Sequence, residues 1–114
     1  MFYNKYKEIE WPEEVLEVFN PHLHDAVIES ISYKRETSKL CLDISFYEDH
    51  IELLFEDVER VSWDIERYND SIIEAHLYED NGFIVASFEA ACLDVVSKKM
   101  TITVNGYSDM TISF

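Results

Sequence analysis

The chain contains two glycines, two prolines and two cysteines in 114 residues, and nine lysines plus arginines against 24 acids. Each shortage excludes something. Without a Gly-, Pro- or Ser-rich stretch there is no linker, and 114 residues suit one domain. We therefore read residues 1–114 as a single globular domain. The two cysteines, Cys41 and Cys92, are too few for a disulfide framework, and both sit in apolar, strand-like stretches that suit buried, reduced thiols. No apolar run approaches the roughly 18–20 residues that span a bilayer, and residues 1–8 lack the apolar core of a signal peptide. This reading places the protein in the cytoplasm.

The shortage of bases is the strongest exclusion. The formal net charge is −15. Residues 43–94 hold 15 acids and only two bases, Arg60 and Arg67, whereas residues 1–42 hold eight acids and five bases. Nucleic-acid affinity comes largely from Lys and Arg releasing counterions from phosphates, so nucleic acid is excluded as a partner, and an anionic membrane surface for the same reason. A basic protein is the partner such a charge suits.

Missing motifs narrow the chemistry. There is no Gly-x-Ser-x-Gly, no phosphate-cradling glycine loop and no Cys-x-x-Cys. His22-Leu23-His24-Asp25 is the metal suspect, but the metallo-hydrolase pattern needs Asp and His at positions 26 and 27, where Ala26 and Val27 stand. A cupin-like set of His22, His24 and Glu29 lacks the glycines and second motif of that family. His50 and His76 are isolated in sequence. Acidic pairs such as Glu48-Asp49 and Glu56-Asp57 lack the ligand spacing and central glycine of an EF-hand. No cofactor, metal or catalytic residue is assigned.

What is present is mostly period-two patterning. Trp11-Pro12 followed by Glu13 and Glu14 predicts a short helix to Phe19, with Val15, Leu16 and Phe19 on one face and Asn20-Pro21 as its stop. Strands are predicted over residues 26–33, 38–47, 50–55, 71–79, 83–91, 100–104 and 111–114, with residues 58–65 ambiguous and 92–96 extending the fifth of these. In residues 38–47, Leu40, Leu42, Ile44 and Phe46 face one way and Cys41, Asp43, Ser45 and Tyr47 the other. Residues 35–38 and 47–50 read as hairpin connections, Lys98-Lys99 as a turn, and Asn81-Gly82 and Asn105-Gly106 as tight turns. The expected fold is mainly β (α+β), an antiparallel curled sheet or sandwich of about seven or eight strands with one short N-terminal helix.

Glu52, Glu74 and Glu89 stand between apolar neighbours, so acids are expected to project from several adjacent strands. Tyr47, Tyr78 and Tyr68 fall beside acids, as interface aromatics do, or cover a second sheet face. The residues expected to meet a partner are Asp43, Tyr47, Glu52, Glu74, Tyr78 and Glu89.

His24-Asp25 leading into residues 27–31, then 40–44, 51–55 and Val58, resembles the opening of several small uncharacterised bacterial domain families, some of them immunity-protein-like. The likeness spans residues 22–58, with Ala26 in place of a small hydroxyl residue. It implies a non-enzymatic inhibitor that binds one cognate toxin, and it transfers no functional residue. Three readings follow from the sequence: an acidic protein-binding domain of immunity type directed at a basic toxin; a metal-dependent small barrel enzyme or ligand-binding protein centred on His22, His24 and Glu29; and a domain that homo-oligomerises through an uncovered sheet face or edge.

Overall fold

The computed structural model describes residues 7–19, 23–72, 74–106 and 108–113. Among them are one α-helix, α1 (Glu13–Val18), a 3-10 turn at Arg35–Thr37, and nine strands: β1 (Lys7–Ile9), β2 (Ala26–Lys34), β3 (Lys39–Phe46), β4 (Asp49–Trp63), β5 (Ser71–Ile72), β6 (Ala75–Asp80), β7 (Phe83–Phe88), β8 (Leu93–Val104) and β9 (Ser108–Ser113). All join one antiparallel sheet, ordered β1-β6-β7-β8-β4-β3-β2-β5 with β9 also on β8. The sheet curls like half a barrel, as the period-two patterning predicts.

The tight connections come from residues that accept positive φ. Asn81-Gly82 and Asn105-Gly106 have both central residues there, as two-residue primed hairpin turns require. With glycine so scarce, other described residues take left-handed conformations, among them Ser38 (φ 53), Tyr47 (φ 55), Asp57 (φ 53), Ala90 (φ 72) and Cys92 (φ 54).

β8 organises the sheet. Its first half pairs with β7, from Phe88↔Leu93 to Ile84↔Ser97, and its second half with β9, from Lys99↔Ser113 to Val104↔Ser108. Its other edge pairs with β4, from Trp63↔Leu93 to Ile51↔Val104. The alternating buried positions run Leu93, Val95, Ser97 and then Met100, Ile102, Val104, with Val96 between them buried as well. The alternation therefore slips by one residue near Lys98, and it slips opposite that point on β4, between Phe55 and Val58, where Asp57 is left-handed. The slip carries the apolar set of both strands past an irregular point without leaving the core.

That core holds Leu40, Leu42, Ile44, Ile51, Leu53, Phe55, Leu77, Phe88, Met100 and Ile102, and α1 docks on it through Val15 with Trp11 and Phe19 at its ends. A six-residue helix is unstable alone and depends on this docking. Trp11 Nε1 donates to the Ala75 carbonyl at 2.9 Å, tying the N-terminal segment to β6.

Several expectations need correction. Leu16 is 38% exposed rather than sharing the buried face with Val15 and Phe19. The 71–79 segment is two strands, β5 and β6. Residues 83–91 end as a strand at Phe88, where a turn with left-handed Ala90 and Cys92 reverses the chain, so 92–96 belongs to a new strand. Lys98-Lys99 is not a turn but the middle of β8. The ambiguous 58–65 segment is strand through Trp63. Neither cysteine is in the core: Cys41 is half-buried and Cys92 exposed. The Asn20-Pro21 stop lies outside the described residues.

Candidate functional site

Across β2, β3, β4 and the second half of β8, the face turned away from the core is polar, and strand register arranges it in rows. One row runs Ser30, Asp43, Glu52, Thr103 and the next Ser32, Cys41, Leu54, Thr101. Beyond them Glu56 lies between Lys39 and Lys99, at 3.8 and 3.7 Å. A neutral row thus separates the Asp43–Glu52 pair from the row in which Glu56 meets Lys39 and Lys99, and on this face acids from residues 43–94 sit with bases from outside that stretch.

Asp43 and Glu52 are direct cross-strand partners. Ser30 donates its hydroxyl to Asp43 Oδ2 at 2.6 Å, and His50 Nε2 lies 3.5 Å from Asp43 Oδ1. Tyr47, at the hairpin tip, is 90% exposed, and its ring meets Phe46 edge-on at 4.7 Å. Phe46 in turn reaches Phe19 at 6.0 Å. The exposed ring is therefore braced from the core side. Beside the acidic row, Ser32, Lys34, Lys39, Cys41 and Leu54 line a hollow of about 210 Å³, below the roughly 300–1,000 Å³ usual for small-molecule pockets.

Burial pushes the Cys41 thiol up to about 11, helped by the Glu52 and Asp43 charges and a hydrogen bond to Glu52. At pH 8 roughly one such thiol in a thousand is ionised, and the thiolate is the nucleophile. Iodoacetamide at pH 8 should therefore label the exposed Cys92 quickly and Cys41 slowly. Cys92→Ser should abolish the fast phase, and equal labelling rates followed by peptide mass spectrometry would contradict this placement.

A second group gathers on the outer side of the other half of the sheet. His76 on β6 has Nδ1 3.0 Å from Glu8 Oε1 on β1 and Nε2 2.9 Å from Glu74 Oε2. The backbone N–H of Glu89 donates to the Glu74 carbonyl at 2.8 Å, fixing the two acids side by side. Tyr78 stacks on His76 with ring centroids 6.0 Å apart. Burial lowers the pKa of His76, but the Glu74 and Glu8 carboxylates outweigh it and the net shift is upward. Burial and then the charges of Glu8, Glu89, Asp94 and Glu74 raise that of Tyr78.

The six expected partner-facing residues thus fall into two groups of three: Asp43, Tyr47 and Glu52 on the β3–β4 hairpin, and Glu74, Tyr78 and Glu89 around His76. Glu74 and Glu89 sit at strand ends rather than mid-strand. Tyr68 belongs to neither group, packing edge-on against Trp63 beside the core. Of the expected His22, His24 and Glu29 set, only the last two can be placed. His22 lies outside the described residues, His24 Nε2 is 3.6 Å from Asp25, and Glu29 accepts from the Ser45 hydroxyl at 2.5 Å. Sequence reasoning missed His76 because Glu8 stands 68 positions away.

A curled antiparallel sheet with a polar outer face and one docked helix defines a small mainly-β domain. The chain belongs to the family described as "Protein of unknown function (DUF4085)", which matches residues 1–103 and so takes in both groups of outer-face residues and ends short of β9. No curated protein and no solved structure matches it. No helix among the described residues is long and apolar enough to cross a membrane.

Proposed function

We propose that this is a non-enzymatic binding domain that docks a basic protein on the outer face of its β3–β4 hairpin, through Asp43, Glu52 and Tyr47. The observation that carries the reading is the pairing of Asp43 directly with Glu52. Like charges opposite one another on a sheet destabilise it, by up to about 1 kcal/mol. A fold that sets two carboxylates together on its outer face, in the hairpin whose tip carries the exposed Tyr47, presents charge and an aromatic anchor where a partner can use them. In the specific form suggested by the immunity-protein likeness, the partner is a basic toxin and binding inhibits it.

The test uses Asp43→Asn with Glu52→Gln. Stability should hold or rise by up to about 1 kcal/mol as the repulsion is removed. A partner captured from the native host should associate several-fold more slowly with the variant, and wild-type on-rates should fall as salt rises from about 50 to 500 mM, because steering is screened. An acidic partner, or an on-rate indifferent to both changes, would remove the basis for this reading. Self-association is the competing outcome, since Lys39 and Lys99 lie two rows from the Asp43–Glu52 pair on the same face and give a second copy opposite charges to meet, and concentration-dependent gel filtration separates the two.

A further inference from the structure

We propose that Glu74, His76 and Glu89 form a binding site for one divalent ion of the zinc class, with Glu8 as the residue that positions the imidazole. The donor atoms of Glu74, His76 and Glu89 already lie within 4.8 Å of one another. Ligand atoms around a tetrahedral zinc are about 3.3–3.5 Å apart, given metal–ligand bonds of roughly 2.0–2.2 Å. Small side-chain rotations close that difference, and Glu89 is exposed and able to make them.

The orientation of His76 points the same way. A metal-ligating histidine commonly gives its second ring N–H to a carboxylate, which fixes the tautomer and aims the other nitrogen. Here Glu8, arriving from a different strand, takes Nδ1 and leaves Nε2 directed at Glu74. The imidazole is held in a partly buried position, its side chain 16% exposed, with Tyr78 stacked beside it. Glu74 is held against Glu89 by the backbone hydrogen bond between them, so the donors come from one strand and two strand junctions that the sheet fixes together.

Donor chemistry selects the ion. Carboxylate oxygens alone suit Ca²⁺ or Mg²⁺, whereas an imidazole nitrogen with two carboxylates suits Zn²⁺, Mn²⁺ or Fe²⁺. Binding is an exchange in which the ion takes the place of the Nε2 proton between His76 and Glu74, and the proton leaves to solvent. With three protein donors, the remaining position is open to water. The group is distinct from Asp43, Glu52 and Tyr47, so it stands or falls independently of the docking surface.

The experiment is calorimetric titration of Zn²⁺ into chelator-stripped full-length protein at pH 7.5, repeated with Co²⁺ to read d–d absorption from a nitrogen-containing site. One equivalent should bind saturably. His76→Gln should abolish that equivalent, and Glu89→Gln, at an exposed position outside the core, should weaken it. Glu8→Gln should lower affinity about 10- to 100-fold, the range seen for residues that orient a ligating histidine. His24→Ala, at an exposed imidazole outside the group, should leave binding unchanged. Circular dichroism of each variant confirms the fold. Absence of a saturable equivalent, a binding isotherm unaffected by His76→Gln and Glu89→Gln, or loss of binding in His24→Ala would each overturn the assignment.

Discussion

Phe55→Ala should cost about 3–5 kcal/mol, measured as a lowered urea midpoint at unchanged slope. Phe55 is fully buried at the centre of β4, where its register partners are Leu40 on β3 and Met100 on β8. Truncation leaves a cavity at the junction of three strands, and paired strands on both sides restrict how far the site can collapse. Because a domain of this size is stable by roughly 5–15 kcal/mol in total, one such change removes a large part of it. Ile65→Ser supplies the contrast. Ile65 is 72% exposed, and its replacement should shift stability by no more than about 0.5 kcal/mol. A Phe55→Ala loss below about 1 kcal/mol would mean that β4 does not lie at the centre of the core.

Trp11→Ala should be comparably severe, at about 3–5 kcal/mol, but its effect should begin at one end of the molecule. Trp11 is 4% exposed and contributes both packing and the Nε1 hydrogen bond to the Ala75 carbonyl. Trp11→Phe separates the two, retaining most of the ring while leaving a buried carbonyl unsatisfied, for roughly 1–3 kcal/mol. Hydrogen exchange gives the spatial test. In Trp11→Phe the amides of β1 and α1 should lose protection before those of β4 and β8, because β1 has only three register pairs to β6 and α1 is short. Uniform loss across the sheet would show that the N-terminal segment does not open separately.

The extent to which this molecule can be read from its sequence depends on how local each determinant is. The Asn-Gly pairs mark both of their hairpins because the turn chemistry lies wholly within two residues. The alternation of residues 38–47 assigns Leu40, Leu42 and Ile44 to the core and Cys41, Asp43 and Ser45 to the outer face. Taking Cys41 as a core thiol disregards that alternation.

Lys98-Lys99 illustrates a different failure. The break in alternation there is real, but it marks a slip within a continuous strand, and only the opposing slip on β4 distinguishes that from a turn. β1 gives almost no signal, with Ile9 as the one apolar residue of three. The group around His76 is legible only in part: the β6–β7 hairpin marked by Asn81-Gly82 sets Glu74 beside Glu89, but Glu8 reaches His76 only when β1 pairs with β6. The proximity of Asp43 to Glu52 likewise follows from a single hairpin, which is why all four could be named as outward acids.

The β4–β8 seam also has a consequence for biosynthesis. Consecutive neighbours β2, β3 and β4 can pair as soon as residue 63 is available, but the far edge of β4 has no partner until β8 emerges, and Ile51 does not meet Val104 until the seam is complete. During translation the longest strand therefore presents open hydrogen-bonding groups, with Ile51, Leu53 and Phe55 incompletely covered, while about 40 further residues are made, some 2–8 s at 5–20 residues per second. An unpaired apolar edge is a template for pairing with another chain. The nascent first half is thus the form most exposed to misassociation, and the clasp of β1 onto β6 can close only after the second half has begun to fold.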